Sequence, residues 1–185
     1  MFVNKGDNSA YTMEIAGLKR ELPLCRIDDK LSIAAFVIFG DVELTVASTT
    51  ALLERVPEFD VLITAEAKGI PLVYEMARQS GKPYLVARKY PKLYMQEPMT
   101  VNVRSITTDA VQTMYFDKKD MEQIEGKRVL IVDDVISTGE SVRALKVLVE
   151  RSNGLVAAQC AILAEGDAID RGDVIFLEAL PLFKD

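Results

Sequence analysis

"RVLIVDDVISTGESVRAL", Arg128 to Leu145, decides how this chain is to be read. Val129 to Val132 have the length and branching of a buried strand. Asp133 and Asp134 stand at its carboxyl end, where side chains begin to face a binding crevice. Ser137, Thr138, Gly139, Glu140 and Ser141 then form a polar turn that leads into a helix. A helix start offers unpaired N–H groups and a partial positive charge, a natural seat for a phosphate. Gly139 permits a tight turn and a close backbone approach, and the hydroxyls of Ser137, Thr138 and Ser141 can donate to phosphate oxygens.

Two carboxylates beside a bound phosphate would repel it unless they had partners of their own. A ribose 2′,3′-diol supplies two hydroxyl donors a short distance from a 5′-phosphate. Carboxylates also stabilise the positive charge that develops on a ribose ring as the bond at C1 breaks. The run therefore suits a ribose 5-phosphate ligand. Other readings exist. Ser or Thr before a helix is commonly just a cap. An acidic pair can also hold magnesium, as in response-regulator receiver domains, but there it follows the first strand rather than one two-thirds of the way along. The glycine-lysine ending of a P-loop and the dinucleotide G-x-G-x-x-G are both missing.

Outward from this run, strand and helix patterns alternate. "DVLITA" (Asp60 to Ala65), "PYLVAR" (Pro83 to Arg88), "KRVLIVDD", "LVAAQCAILA" and "DVIFLEAL" read as strands. "IPLVYEMARQS" (Ile70 to Ser80, closed by Gly81) and "GESVRALKVLVERSN" read as helices. Asp41 is a plausible N-cap for a further helix whose inward face would carry Val42, Val46, Leu52, Leu53 and Val56. "YTMEIAGLKRELPLCRI" predicts two short strands turning at Ala16-Gly17, and "SIAAFVIF" (Ser32 to Phe39) another strand. Between Lys89 and Gly126 the pattern gives two strands, "MTVNVRSI" and "AVQTMYF", and a short helical turn, with Lys118-Lys119 a solvated turn. The expected fold is α/β: a mostly parallel central sheet with helices on both faces, plus a small N-terminal β-rich hood over residues 1–40. No linker or repeat divides residues 1–185, which predicts one domain.

In such a sheet, ligands gather at the carboxyl ends of strands. The loop after "DVLITA" is Glu66, Ala67, Lys68 and Gly69, able to hold a second, more negative group such as pyrophosphate. The loop after "PYLVAR" brings Arg88, Lys89 and Lys92, the dense basic cluster of a ligand-facing edge.

Composition narrows the chemistry. The chain of 185 residues has no histidine, which removes the Ser-His-Asp triad, the Cys-His pair and most zinc sites. A net charge of −6 argues against nucleic acid or an acidic membrane as partner. Cys25 and Cys160 have no metal-ligand spacing and read as free thiols of a reducing compartment. The first residues lack a signal-peptide core and no run spans a bilayer, so the expected location is the cytoplasm.

"VLIVDDVISTGES" resembles the phosphoribosyl pyrophosphate (PRPP) signature of the type I phosphoribosyltransferases. "EAKG" resembles the pyrophosphate loop of the adenine-type enzymes, with Lys68 where an arginine is commoner. "YLVARKYPKLYM" is similar to their "VLVRKPGKLPG". The resemblance implies a type I phosphoribosyltransferase that moves ribose 5-phosphate from PRPP to a nitrogenous base, a purine and adenine first, with release of pyrophosphate. It implies Asp133 and Asp134 on the ribose hydroxyls as catalytic residues, and Ser137, Thr138, Gly139, Glu140 and Ser141 on the 5′-phosphate. Glu66, Ala67, Lys68, Gly69, Arg88, Lys89 and Lys92 would hold pyrophosphate. It implies Mg²⁺ brought in by PRPP with no direct metal ligand, and a homodimer. The chain departs from the family in two places. "VNVRSITTDAVQTMYF" has no glutamate in place of the mobile-loop acid, Asp109 being its one carboxylate. The "PGI-x-F-(K/R)-D" string of the base-recognising hood is also missing. These departures favour a second reading, a non-catalytic PRPP- or nucleotide-binding regulator; the absence of a basic arm or DNA-binding segment from this sequence counts against it.

Overall fold

The computed structural model describes the chain apart from residues 5, 7, 8, 96, 105–110 and 185, together with the side chains at 103, 104, 111 and 112. In chain order the strands and helices are β1 (Phe2–Asn4), β2 (Ala10–Ile15), β3 (Leu18–Arg26), β4 (Leu31–Ala34), α1 (Val42–Leu53), β5 (Val61–Ala65), α2 (Ile70–Ser80), β6 (Tyr84–Ala87), β7 (Met99–Arg104), β8 (Val111–Phe116), α3 (Lys118–Ile124), β9 (Arg128–Ile136), α4 (Glu140–Arg151), β10 (Leu155–Glu165), β11 (Val174–Leu180) and β12 (Leu182–Lys184). A 3₁₀ helix, Gly166–Asp170, separates β10 from β11.

The central sheet has the order β11-β10-β9-β5-β6, and all four of its pairings are parallel. Alternation along its strands builds two cores. Val61, Ile63, Val129 and Ile131 join the cluster containing Val142, Leu145 and Leu148 of α4 and Phe116 of β8. Leu62, Leu130 and Val132 join the opposite cluster with Leu44 and Leu52 of α1 and Leu72, Val73 and Met76 of α2. Period-two side-chain direction and apolar residues at every position together require a covering layer on each face. The alternation changes phase across Asp133 and Asp134: Val135 packs on the cluster of Leu130 and Val132, whereas Ile136 packs on that of Ile131. The strand thus carries the two acids within its last turn of pleat rather than beyond its end.

A second sheet, β1-β12-β4-β3-β2, packs into the α1–α2 core through Met13, Ile15, Leu22 and Phe183. It draws its strand β12 from the C-terminal end of the chain, a contribution absent from the N-terminal reading of residues 1–40. Ala16 and Gly17, both with positive φ, turn β2 into β3 as expected. The strand expected over 32–39 stops at Ala34, although burial continues to alternate through Phe36 and Ile38. Alternation reports which side faces the core and not whether a neighbour supplies a ladder.

Helix α1 corrects the sequence reading more sharply. Asp41 caps it, accepting from Leu44 N–H at 3.1 Å, but the buried face is Leu44, Thr45, Ser48, Thr49 and Leu52. Val42 is 72% exposed and Val46 39% exposed. Small hydroxyl residues let α1 lie close against α2, so the valines are turned outward. Lys118 and Lys119 open helix α3 rather than a simple turn; Lys118 reaches Glu97 at 2.9 Å. Among the described residues no helix is long and apolar enough to cross a membrane.

Candidate functional site

The loops after β5, β6 and β9 leave the same edge of the parallel sheet, as neighbouring parallel strands require. The turn Glu66–Gly69 joins β5 to α2 and contains a cis peptide between Glu66 and Ala67. Glu66 N–H donates to Ala87 O at 2.9 Å, tying this turn to the end of β6. Its carboxylate then gathers the basic cluster: Arg88 Nη1 lies 3.2 Å from Oε1, Lys89 N–H donates to Oε2 at 3.1 Å, and Lys92 Nζ is 3.9 Å from Oε1. Burial works to raise the Glu66 carboxyl, but the Lys89 N–H, Lys92 and Arg88 outweigh it and hold the group below its usual value. Arg88 is also tied by its backbone to Tyr115 of β8 through a pair of hydrogen bonds of 3.0 and 2.8 Å. The basic loop is therefore fastened both to the Glu66–Gly69 turn and to strand β8.

Lys68 points the other way, toward the acidic pair. Its Nζ is 3.1 Å from Asp134 Oδ2, with the aspartate side chain 5% exposed and the lysine 48%. The contact is an ion pair without hydrogen-bond alignment, since the buried Oδ2 makes no hydrogen bond among the described residues. Asp134 N–H donates to Asp133 Oδ1 at 2.9 Å. Burial first, and the Asp134 charge second, push the Asp133 carboxyl up to about 7, against a smaller pull from Lys68.

Gly69 fits between these parts because it has no side chain. A Cβ there would collide with Thr64 Oγ1 and lie 3.5 Å from Asp133 Oδ1. The Glu66–Gly69 turn and the acidic pair therefore lie close together, leaving little room for a side chain at Gly69. Glu165, at the end of β10, was not singled out in the sequence; burial raises its carboxyl and Lys68 opposes that. Its signal was its place at the carboxyl end of a strand.

Beyond the acids, β9 runs on to Ile136, and Ser137 and Thr138 form the bend before α4. The N-cap of α4 is Gly139 at φ 75, with no side-chain cap hydrogen bond. Asp109, the carboxylate noted in "VNVRSITTDAVQTMYF", lies outside the described residues.

Comparisons with known proteins agree with this geometry. The family model described as "Phosphoribosyl transferase domain" matches residues 51–173, a span that contains all the loops just described. The chain is 32% identical over 113 residues to the purine biosynthesis transcriptional repressor PurR of Bacillus subtilis, covering 61% of this chain and 39% of that protein. It is 37% identical over 122 residues to an adenine phosphoribosyltransferase of Rubrobacter xylanophilus, covering 64% of this chain and 62% of that one. The chain thus spans about two fifths of the length of the purine regulators it matches. Among solved structures, adenine phosphoribosyltransferase from Thermoanaerobacter pseudethanolicus superposes with a TM-score of 0.67 at 22% identity, covering 92% of this chain and 95% of that one. The parallel sheet, the acid pair near the end of β9, the glycine-capped α4 and a family match over two thirds of the sequence converge, and the chain belongs to the phosphoribosyl transferase domain family.

Proposed function

We propose that this protein transfers ribose 5-phosphate from PRPP to a nitrogenous base, a purine and adenine first, releasing pyrophosphate. The observation that carries the reading is the pair of buried Asp134 and half-buried Asp133, held beside Lys68 near the end of β9 and followed within five residues by the glycine-capped start of α4. Asp133 and Asp134 accept from the ribose hydroxyls, with Lys68 Nζ 3.1 Å from Asp134 Oδ2. The turn from Ser137 to Ser141, with Thr138, Gly139 and Glu140 between, seats the 5′-phosphate on backbone N–H groups. Glu66, Ala67, Lys68 and Gly69 approach the diphosphate from one side, and Arg88, Lys89 and Lys92 from the other. Glu66 keeps Arg88 and Lys92 in place before substrate arrives, so the cost of ordering two long side chains falls on folding rather than on binding.

Catalysis in this account is positioning and electrostatics. The acids face the ribose ring, where positive charge grows as the C1 bond breaks, and the lysines and arginine face the departing diphosphate. Asp133 and Asp134 form a carboxylate pair that would face a cation carried in by the substrate. Mg²⁺ arriving with PRPP would supply charge neutralisation at the leaving group. The second sheet would act as a hood over the base within one domain of 1–185, its 1–40 strands sharing a core with α1 and α2. The same reading places the protein in the cytoplasm as a homodimer.

The match to a purine repressor, together with the missing glutamate in "VNVRSITTDAVQTMYF", favours a second reading: a regulator that binds PRPP and transfers nothing. A panel of purine and pyrimidine bases offered with PRPP and Mg²⁺ separates the two. Pyrophosphate release with a purine is the expected result; tight PRPP binding with no release from any base would establish the regulator instead.

A further inference from the structure

The turn at Gly139 is closed on one side by an arginine from a distant part of the sequence. Arg171 follows the 3₁₀ helix Gly166–Asp170, and a Cβ added to Gly139 would collide with its Nη1. The guanidinium is not a loose surface group. Its Nε lies 2.9 Å from Asp173 Oδ1 and its Nη2 2.9 Å from Asp173 Oδ2, a two-pronged contact. Gln159 of β10 locks the pair from behind: Nε2 donates to Asp173 Oδ2 at 3.0 Å, and Oε1 accepts from Arg171 Nη2 at 3.5 Å. With two nitrogens committed to Asp173, the remaining edge, Nη1, is presented to the Gly139 backbone.

The local charge explains why a cation belongs there. From Asp133 to Val142 the chain supplies Asp133, Asp134 and Glu140 but no lysine or arginine. A phosphate dianion seated on this turn would meet that acidic run, and the helix terminus offsets it by only about half a charge. Resting on the PRPP reading above, we propose that Arg171 supplies the side-chain cation of the 5′-phosphate seat, aimed by Asp173 and Gln159 and admitted by the missing side chain of Gly139. The ligand class is a sugar 5-phosphate. Arginine suits the task because one planar fork can be fixed on a carboxylate while its other edge faces an anion.

The test is titration of the whole protein with ribose 5-phosphate and, separately, with pyrophosphate, each at low and moderate salt. Arg171→Gln should weaken ribose 5-phosphate and PRPP by about tenfold, flatten the salt dependence of both, and leave pyrophosphate affinity within about twofold. Asp173→Asn keeps the cation and loosens its aim, so a loss of about threefold is expected, confined to the same ligands. Unchanged ribose 5-phosphate affinity in Arg171→Gln would overturn the assignment, as would an equal loss for pyrophosphate. Should Arg171→Gln fail to fold, Arg171→Lys serves: full affinity for pyrophosphate with a partial loss for ribose 5-phosphate supports the role, and no difference between the two ligands refutes it. A wild-type protein that binds neither PRPP nor ribose 5-phosphate removes the transferase reading and this one with it. Wild-type binding left intact by Arg171→Gln removes this one alone.

Discussion

Replacing Asp133 by Asn should make the unliganded protein more stable at alkaline pH while weakening its hold on PRPP. The Asp133 carboxyl is pushed from 3.8 up to about 7 in the fold, by burial and then by Asp134. A group whose folded value lies above its unfolded one keeps a proton that the unfolded chain gives up. Stability therefore falls as pH rises from about 4 to about 7, and the penalty is fully present above that window. At 1.36 kcal/mol per unit, the ceiling is about 4 kcal/mol. Coupling to Asp134, the opposing Lys68 and water entering the crevice reduce it, and we expect about 1–3 kcal/mol. Asn retains an oxygen to accept the Asp134 N–H bond of 2.9 Å, so the substitution removes charge without removing that contact. Thermal unfolding without ligand, run from pH 4 to pH 8, reads the effect. Wild type and Asp133→Asn should melt together near pH 4, and the variant should melt about 3–10 °C higher at pH 8. A gap that does not change with pH, or a wild type that is the more stable at pH 8, would refute the account of a strained acidic pair.

Other variants probe the neighbouring contacts. Lys68→Ala leaves the buried Asp134 without its cation at 3.1 Å; because the lysine is half exposed, the expected cost is about 1–2 kcal/mol at pH 8 in urea unfolding. Gly69→Ala forces a methyl into Thr64 Oγ1 and should cost about 1–3 kcal/mol, with Thr64→Ala in the same chain recovering part of the loss. Arg128→Ala breaks exposed contacts to Asp60 and Glu58 at the opposite end of β9 and should leave the urea midpoint nearly unchanged, with PRPP binding unchanged in a calorimetric titration.

The parallel sheet was legible because its strands are buried on both sides: Val129 to Val132 leave no polar position, and only a sheet covered on both faces accepts that. The turn glycines were legible too, Gly81 closing α2 and Gly139 opening α4, since each stands at positive φ where other residues are strained. Helix α1 was misread because apolarity is a poor guide when a helix packs closely: Ser48 and Thr49 face inward and Val42 faces out. Strands β1 and β12 escaped because a three-residue strand has no period of its own; a partner from the other end of the chain defines each of them. Within the site, the loops could be found by position alone, but their wiring could not. Nothing in the order of residues says that Glu66 gathers Arg88 and Lys92 while Lys68 turns to Asp134. Arg171 was invisible for the same reason: its meaning comes from lying against Gly139, more than thirty positions earlier in the sequence.

The central claim is that Asp133, Asp134 and the turn after them hold PRPP, and calorimetric titration with PRPP and Mg²⁺ addresses it directly. The wild-type protein should bind, and the Asp133→Asn/Asp134→Asn variant should lose at least about tenfold in affinity, as expected for removing charge-assisted contacts to the ribose hydroxyls. Equal binding by the two proteins, or no binding by the wild type, would contradict the account.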